Sequence, residues 1–420
     1  MGELFAVGAG KTMSAAARAG EDKVPFLRTS NVLWDEIDLA VVDAMAIPEH
    51  ELAEKCLEPG DLLVCEGGEI GRAAIWEGGP GPMSFQNHLH RLRPKVDDVD
   101  PRFYVYFLQS AFTQLGIFEG AGNKTTIPNL SSGRLKALDV PHPPLYEQVA
   151  TADALRHVQA ARRLNARLIG TAEELKTAAM QQLFSCGLRG EAQKETEIGP
   201  IPASWEACRL DSVADVISTR TSYGELLGAQ PSPDANAVRV LGIKVSDMNA
   251  LGNEVEISQA ALDVMVDLDV AELRCAPPGA IIFPKRGAAI ATNKKRIART
   301  WTVFDPNVIG VVAREGLHQR LLFHWFQAFD LRTITEPGPT PQLNKKNLVP
   351  LVVPVPPAVE EQQEIVEVLD AIDRKIALQR RKGEVLDQLF KSLLHKLMTG
   401  EVAVEDLDLS ALPTLEGSAA

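Results

Sequence analysis

The sequence predicts an α+β protein: two tandem mixed α/β domains separated by two long antiparallel coiled-coil helices, with a pseudo-two-fold relation between the halves. Two observations predict it. One stretch of the chain recurs at a constant distance, and each copy continues into a long heptad pattern of apolar residues. The predicted segments are a first domain over 1–143, a helix over 144–190, a second domain over 191–356, a helix over 357–400 and an acidic tail over 401–420.

The clearest part of the repeat is a proline-rich segment before each predicted helix. VPHPPLYEQ at 140–148 recurs, with one residue inserted, as VPVPPAVEEQ at 353–362. Proline disfavours the helical conformation in the residue before it, so each segment is extended and the helix begins after it. From Gln148 and Gln362 onward the copies align without a gap at an offset of 214 residues. This match indicates a duplicated unit.

The repeat continues upstream of the helices. EPGDLLVCEG at 58–67 parallels APPGAIIFPKRG at 276–287, and each predicts a turn followed by a buried strand that ends at glycine. The segment 24–27 likewise parallels 238–241. Each half is therefore a mixed domain followed by a long helix.

Both helices contain a heptad seam, which is typical of two helices packed together. In the second helix the seam residues are Ile365, Ile372, Gln379, Leu386 and Leu393 at one position, and Leu369, Ile376, Phe390 and Leu397 at the other. The matching residues of the first helix are Leu155, Val158, Asn165 and Leu183. Arg162 and Lys176 also fall on that seam, so the first helix is either partly exposed or faces another subunit.

Gln379 and its repeat partner Asn165 are polar residues within the seam. Such residues fix the register and the partner of a coiled coil at some cost in stability. The alternative is an exposed break next to Gly383, and the sequence leaves both interpretations open.

Composition and charge restrict the class of protein. The 420 residues have a formal net charge of -13, which disfavours nucleic-acid binding, but segment 275–350 contains eleven Lys and Arg against four Asp and Glu, a local charge of +7. The five cysteines are scattered without a CxxC pair, which predicts neither disulfides nor a zinc site. No apolar run approaches the roughly 18 residues of a membrane span, so we expect a cytoplasmic protein without membrane contact.

Several motifs together resemble the type I restriction specificity subunit. They are IPNLSSGRLKALDVPHPPLYEQ (127–148), QLNKKNLVPLVVPVPPAVEEQ (342–362), IGPIPASWEACRL (198–210), and the helix ends MQQLFSCGLRG and LLHKLMTGEV. The resemblance implies two target-recognition domains, each of which reads one half of a split site in double-stranded DNA. It also implies that the helices set the spacer and dock two methyltransferase subunits, which restriction subunits join.

The resemblance further implies that this chain is not an enzyme and binds no cofactor of its own. S-adenosylmethionine, ATP and magnesium would belong to the partner subunits. One departure is that segment 197–205 opens the second domain, whereas the first domain has no such beginning before Gly2. Either translation begins upstream, or the acidic C-terminal tail fills that space.

Basic and amide residues of the second domain are the best candidates for DNA contact. Arg and Lys pair with guanine, Asn and Gln pair with adenine, and other basic residues bind phosphate. The alternative for each residue is a solvated surface loop. The candidates are Lys285, Arg286, Asn293, Lys294, Lys295, Arg296, Gln342, Asn344, Lys345 and Lys346.

The first domain has a weaker set at corresponding places. Segment 84–136 contains seven Lys and Arg against four Asp and Glu, a local charge of +3. Because the two sets differ, we expect two different half-sites. The candidates are Glu69, Arg72, Gln86, Asn87, His88, His90, Arg91, Asn123, Lys124 and Thr125.

Three motifs that suggest other functions are incomplete. GAGKT at 8–12 lacks the first glycine of a phosphate-binding loop, and we expect too few residues before it for a buried strand. His88 and His90 have no evident third ligand for a metal. Glu174 and Lys176 have nuclease-like spacing but lie in a helix. A scaffold that binds only protein remains the alternative function.

Overall fold

The computed structural model describes residues 1–116, 130–218, 221–228, 236–336, 341–410 and 412. The chain divides into two compact units. Unit 1 comprises Met1–Arg167 and the segment from Arg380 onward, and unit 2 comprises Leu168–Gln379. Each unit therefore includes one part of each long helix. The predicted boundaries at 143, 190, 356 and 400 lie near the helix ends.

Unit 1 is a mixed domain with two main sheets. Its strands are β1 (Phe5–Ala9), β2 (Lys23–Leu27), β3 (Val32–Leu33), β4 (Glu36–Ile37), β5 (Asp43–Ala46), β6 (Leu62–Cys65), β7 (Ala73–Ile75), β8 (Ser84–Phe85) and β9 (Leu89–Pro94). Its helices are α1 (Ala15–Ala19), α2 (Glu49–Lys55), α3 (Pro101–Thr113), α4 (Ser132–Lys136) and the first part of α5 (Leu145–Cys186). The sheets have the orders β1-β9-β6-β7 and β5-β2-β8, and β3 pairs with β4.

Unit 2 repeats this arrangement with additional strands. Its strands are β10 (Gln193–Thr196), β11 (Gly199–Pro202), β12 (Glu206–Arg209), β13 (Ala214–Ile217), β14 (Ala237–Ile243), β15 (Glu256–Ile257), β16 (Leu262–Asp267), β17 (Ile281–Pro284), β18 (Arg296–Ala298), β19 (Trp301–Phe304), β20 (Val308–Ala313) and β21 (Val352–Val355). Its helices are α6 (Leu210–Val213), α7 (Tyr223–Gly228), α8 (Leu268–Arg274), α9 (Ala288–Ala291), α10 (Gln319–Ala328), α11 (Lys345–Leu348) and the first part of α12 (Val359–Thr399). The main sheets are β13-β20-β17-β18-β15 and β16-β14-β19.

The two units share their sheet pairing. In unit 1 the order β5-β2-β8 pairs β2 with β8 in parallel, and in unit 2 the order β16-β14-β19 pairs β14 with β19 in parallel. The two predicted turn-and-strand segments are β6 and β17, which are buried along their whole length. Each follows a glycine in the left-handed region, Gly60 at φ 92° and Gly279 at φ 89°. The predicted α+β class with two long helices is confirmed.

Each long helix is connected to the domain before it by one buried glutamine. Gln148 accepts a hydrogen bond from the Asp100 N–H at 2.9 Å and donates to the carbonyls of Asp98 at 3.0 Å and Pro143 at 2.8 Å. Gln362 accepts from the His318 N–H at 2.6 Å and donates to the carbonyls of Gly316 and Pro356, both at 2.9 Å. Each side chain thereby joins the helix, the proline segment and the loop before α3 or α10.

Within unit 1, segments of α5 and α12 pack in opposite directions. Arg162 donates to Asp387 at 2.6 Å and its guanidinium lies 4.6 Å from the centre of the Phe390 ring. Three residues further along α5, Asn165 lies against Gly383. Arg162 on the seam is thus partnered within the chain. The seam residues Leu155, Val158, Asn165, Leu386, Phe390 and Leu393 are buried, and Leu397 is half-buried.

Within unit 2, the same two helices also run in opposite directions. Lys176 donates to Asp373 at 2.6 Å, and Gly187, directly after the end of α5, lies near Glu361, which is earlier in α12. Both side chains of the Lys176 pair are 11% exposed, so Lys176 is also partnered within the chain. The seam residues Ile365, Leu369, Ile376 and Gln379 are buried, and Leu183 and Ile372 are half-buried.

One sequence expectation is wrong in detail, and another needs to be refined. A short strand, β1, runs into the GAGKT segment and includes Gly8, because it pairs with β9, but Phe5 is its one buried residue. The segment still forms no phosphate loop, since the Lys11 ammonium contacts Glu51 at 2.6 Å. The parallel between 24–27 and 238–241 is two residues out of step, because sheet pairing makes Leu27 equivalent to Ile243.

The first residue of unit 1 contacts the segment before α5 and lies in the same apolar cluster as the C-terminal tail. The Met1 amino group donates to the Leu138 carbonyl at 2.6 Å, as the Leu210 N–H donates to the Leu351 carbonyl at 2.6 Å in unit 2. Leu407 of the C-terminal tail packs against the apolar cluster that includes Met1. The tail therefore contributes to unit 1, whose described residues contain no strands that correspond to β10–β12. None of the described helices is long and apolar enough to cross a membrane.

Candidate nucleic-acid interface

In unit 2, three loops meet at the end of β17 and form a basic surface. The Lys285 N–H donates to the Asn307 carbonyl at 2.7 Å, and the Leu343 N–H donates to the Lys285 carbonyl at 2.9 Å. Arg286 forms a β-bridge with Gln342. Two of the predicted clusters, 285–286 and 342–346, are therefore adjacent. We call the residues 285–287, 305–307 and 341–346 the unit 2 strand-end surface.

Several side chains of this surface are available to a ligand. Arg286 and Lys345 are exposed, and neither forms an ion pair with any residue that the structure describes. Lys346 is exposed but pairs with Glu336 at 2.6 Å. Asn344 caps α11, where its side chain accepts from the Asn347 N–H and its own N–H donates to the Asn347 side chain. Arg286 and Lys345 are therefore exposed cations without an ion-pair partner among the described residues.

Unit 1 builds the same backbone arrangement with other side chains. The Glu66 N–H donates to the His88 carbonyl at 2.9 Å, and the Leu130 N–H donates to the Glu66 carbonyl at 2.8 Å. Glu66 thus takes the place of Lys285, and His88 takes the place of Asn307. We call residues 66–67, 86–88 and 130–131 the unit 1 strand-end surface. Gln86 and Asn87 are half-buried on it, and His88 is exposed.

Other first-domain candidates have structural roles. His90 is buried and its Nε2 lies 2.7 Å from the Leu130 carbonyl. Arg91 is buried and donates to the carbonyls of Glu54 at 2.8 Å and Cys56 at 3.1 Å. We do not propose that either residue contacts DNA.

Two further sites in unit 1 differ in their availability. Arg72 donates to Glu69 at 2.9 Å and to the Thr29 carbonyl at 2.7 Å, and only 14% of its side chain is exposed. Glu69 remains exposed on the surface. The candidates Asn123, Lys124 and Thr125 lie outside the described residues.

The side chains of the cluster 293–296 form hydrogen bonds with other residues of unit 2. Asn293, at φ 51°, accepts a hydrogen bond from the Leu331 N–H at 3.0 Å. Lys294 contacts Asn249, and Arg296 donates to the Met248 carbonyl at 3.1 Å. Lys295 is buried and donates to the Phe329 carbonyl at 2.6 Å, and burial lowers the pKa of its amine to about 8. The Lys295 side chain is therefore bound within its own domain.

One group of side chains in unit 2 has spacing suitable for a metal. The nearest ligand atoms of His324, Asp370 and Asp373 lie within 4.8 Å of one another. Arg320 already contacts Asp370 at 2.7 Å, and Lys176 contacts Asp373 at 2.6 Å. Since both carboxylates are neutralised, we interpret the group as a half-buried ion-pair network between α5, α10 and α12.

The fold and its surfaces define a class of protein: a duplicated mixed domain that presents the same loop cluster twice, with different side chains, on a pair of long helices. The family model described as type I restriction modification DNA specificity domain matches residues 1–174 and 284–388. The chain belongs to this family, and its sequence resemblance to specificity subunits is confirmed.

Individual relatives agree with this assignment. The putative type I restriction enzyme MjaX specificity subunit of Methanocaldococcus jannaschii is 27% identical over 410 residues, which cover 93% of this chain and 90% of that protein. The MjaVIII specificity subunit of the same organism is 22% identical over 372 residues, which cover 83% of this chain and 80% of that protein.

Solved structures share the fold. The S subunit of a type I restriction-modification system from M. genitalium has a TM-score of 0.58 at 14% identity, covering 94% of both chains. A chain from a study of complex assembly and conformational transition in the type I R-M system has a TM-score of 0.53 at 16% identity, covering 96% of this chain and 97% of that chain.

Proposed function

We propose that this chain is the sequence-specific DNA-binding subunit of a type I restriction-modification complex, and that each unit reads one half of a bipartite site. The observation that carries the proposal is the pair of equivalent strand-end surfaces. The same backbone contacts place Glu66 and His88 in unit 1 where unit 2 has Lys285 and Asn307. Equivalent backbone hydrogen bonds with different side chains suit two readers of different half-sites.

The chemistry of the surfaces fits duplex DNA. Amide side chains such as Gln86, Asn87 and Gln342 recognise adenine through paired donors and acceptors, and basic side chains recognise guanine. Exposed cations such as Arg286 and Lys345 would hold the phosphate backbone and set the orientation of the domain. The acidic net charge does not oppose this, because segment 275–350 has a local charge of +7.

The long helices are the proposed docking sites for two methyltransferase subunits, which restriction subunits then join. Leu164 of α5 and Leu378 of α12 are repeat partners, and they are 47% and 53% exposed. Exposed leucines at equivalent places suit two copies of one partner. Methyl transfer and DNA cleavage, with their cofactors, belong in this proposal to the partner subunits, and this chain supplies recognition.

The test is methylation by the reconstituted complex. The chain is purified with its methyltransferase subunits and incubated with S-adenosylmethionine and genomic DNA, and the methylated adenines are then mapped. We expect one bipartite site with a fixed spacer. Methylation without a common sequence, or a complex that binds protein partners but no DNA at any salt concentration, would favour the scaffold alternative.

A further inference from the structure

Each unit contains a cleft where its two parallel strands end side by side. In unit 1 the cleft lies beyond β2 and β8 and has a volume of about 590 Å³. In unit 2 the cleft lies beyond β14 and β19 and has a volume of about 500 Å³. The cleft is therefore part of the repeated architecture.

A basic residue directly follows the first of the parallel strands in both units. Leu27 pairs with Phe85 and is followed by Arg28, while Ile243 pairs with Phe304 and is followed by Lys244. Both cations line their clefts. The two residues are equivalent because of how their strands pair in the sheet, and this equivalence does not depend on a sequence alignment.

Each cation also lies near an aromatic ring. The Arg28 guanidinium is 5.5 Å from the centre of the Phe26 ring, and the Lys244 ammonium is 5.7 Å from the centre of the Tyr223 ring. Such contacts restrict a long side chain and lower the entropy lost on binding. Both cations are thus positioned by their own domain while they remain exposed.

The other side chains of the two clefts differ. The unit 1 cleft adds Gln86 and Asn87 at the end of β8, whereas the unit 2 cleft has Asp305 and Pro306 at the same place after β19. Gln and Asn recognise adenine, and a carboxylate accepts from cytosine N4. Clefts with one shared cation and different neighbours suit two sites that read different base pairs.

Arg28 is arranged for a base more than for a phosphate. It forms an ion pair with Asp43 through Nη2, and the rest of its guanidinium makes no hydrogen bond to the described residues. The carboxylate offsets the positive charge, which weakens attraction to phosphate, and orients the planar fork that matches guanine O6 and N7.

We infer that the two clefts receive base edges of the DNA, and that Arg28 and Lys244 are specificity-determining residues for the first and second half-sites. This inference rests on the proposed function and adds which residues discriminate between bases. Each cation then belongs to one half-site, and we expect substitution of one cation to leave base discrimination in the other half-site unchanged.

The experiment measures methylation by the complete complex on a DNA library that is randomised in both half-sites. Arg28→Ala should reduce discrimination at one base pair of one half-site by about tenfold or more, and leave the other half-site unchanged. Lys244→Ala should do the same in the other half-site. Arg28→Lys, which keeps the charge but loses the fork, should also lower discrimination at the Arg28 position.

Arg239→Ala is the matched control. Arg239 pairs with Asp263 across β14 and β16, is exposed to the same degree as Arg28, and does not line the cleft. It should leave both half-sites unchanged. The inference is overturned if Arg28→Ala lowers methylation equally for all sequences, which marks a phosphate contact, or changes nothing. If the wild-type complex selects no bipartite site, the proposed function itself fails.

Discussion

Gln148 and Gln362, repeat partners in α5 and α12, each make the same three hydrogen bonds to the loop before the domain's apolar helix and to the proline segment. Both side chains are buried. The duplication therefore extends from sequence to individual hydrogen bonds, and these two residues are where the predicted repeat and the structure agree most closely.

Removing either glutamine should destabilise the protein. Gln362→Leu would remove the hydrogen bonds to the His318 N–H and to the carbonyls of Gly316 and Pro356, and the Pro356 bond is buried. We expect a loss of about 2–4 kcal/mol in the free energy of unfolding, measured with denaturant. The control is Gln363→Leu, since Gln363 is exposed on the same helix, and it should change the free energy by less than about 0.5 kcal/mol. Equal effects would contradict the role of Gln362.

Gly383 should respond to substitution differently from Gly170, although both lie within long helices. Alanine stabilises an exposed helix position by about 0.5–1 kcal/mol relative to glycine. A Cβ at Gly170 meets nothing within 4 Å, whereas a Cβ at Gly383 would lie 2.9 Å from Asn165 Nδ2. Thermal unfolding should therefore show stabilisation by Gly170→Ala but not by Gly383→Ala. If Gly383→Ala stabilises equally, close approach to Asn165 is not the reason for glycine.

The ion-pair network of unit 2 should make stability depend on acid pH. Burial raises the pKa of Asp370, but hydrogen bonds from His324 and Arg320 outweigh it and lower the pKa to about 2. The pKa of Asp370 is lower in the folded protein than in the unfolded protein. The carboxylate therefore stabilises the fold above pH of about 4, and this stabilisation is lost as the pH falls toward 2. Asp370→Asn should be less stable at pH 6 than the wild type, and the gap should narrow below pH 4. A gap that stays constant down to pH 3 would contradict the network.

Arg286 should contribute to DNA affinity without changing specificity. Arg286→Ala removes one proposed phosphate contact, so affinity should fall similarly for all sequences and the salt dependence should decrease by about one unit of slope. Arg332→Ala is the control, because Arg332 is also exposed but is paired with Asp330. Lys295→Glu is unsuitable for this test, since it would place a carboxylate in a buried position and unfold the loop.

The two exposed leucines should act in partner docking. Leu164→Glu and Leu378→Glu should each weaken binding of one methyltransferase subunit, seen as a change in subunit ratio by mass measurement of the native complex. Val41→Glu, at a position 77% exposed in the first domain, should have no effect. Complexes with two methyltransferase subunits in both leucine variants would contradict docking at these positions.

The repeat and the helices were predictable because they depend on local patterns. Proline segments, heptads and Pro-Gly turns determine conformation over a few residues, and β6 and β17 formed where the turns predicted them. Arg162 and Lys176 looked misplaced on the seam because their partners, Asp387 and Asp373, are more than 190 residues away in the chain.

The candidate site was harder to predict, because the type of a residue does not show whether its side chain is buried or exposed. Lys295 and Arg91 look like ligand contacts in the sequence but are buried against backbone carbonyls. Arg28 and Lys244 were missed since the comparison of 24–27 with 238–241 was two residues out of step. The available signal was a basic residue after the apolar strand in both copies, which only the pairing of β2 and β14 with their parallel partners brings into alignment.

The most direct test of the central claim is exchange of one of the two proposed recognition domains. Residues 191–356 are replaced by the corresponding segment of another specificity subunit, and the methylated sites of the reconstituted complex are mapped. We predict that one half of the bipartite site changes while the other half is retained. A change in both halves, or in neither, would contradict the claim that each repeated unit reads its own half-site.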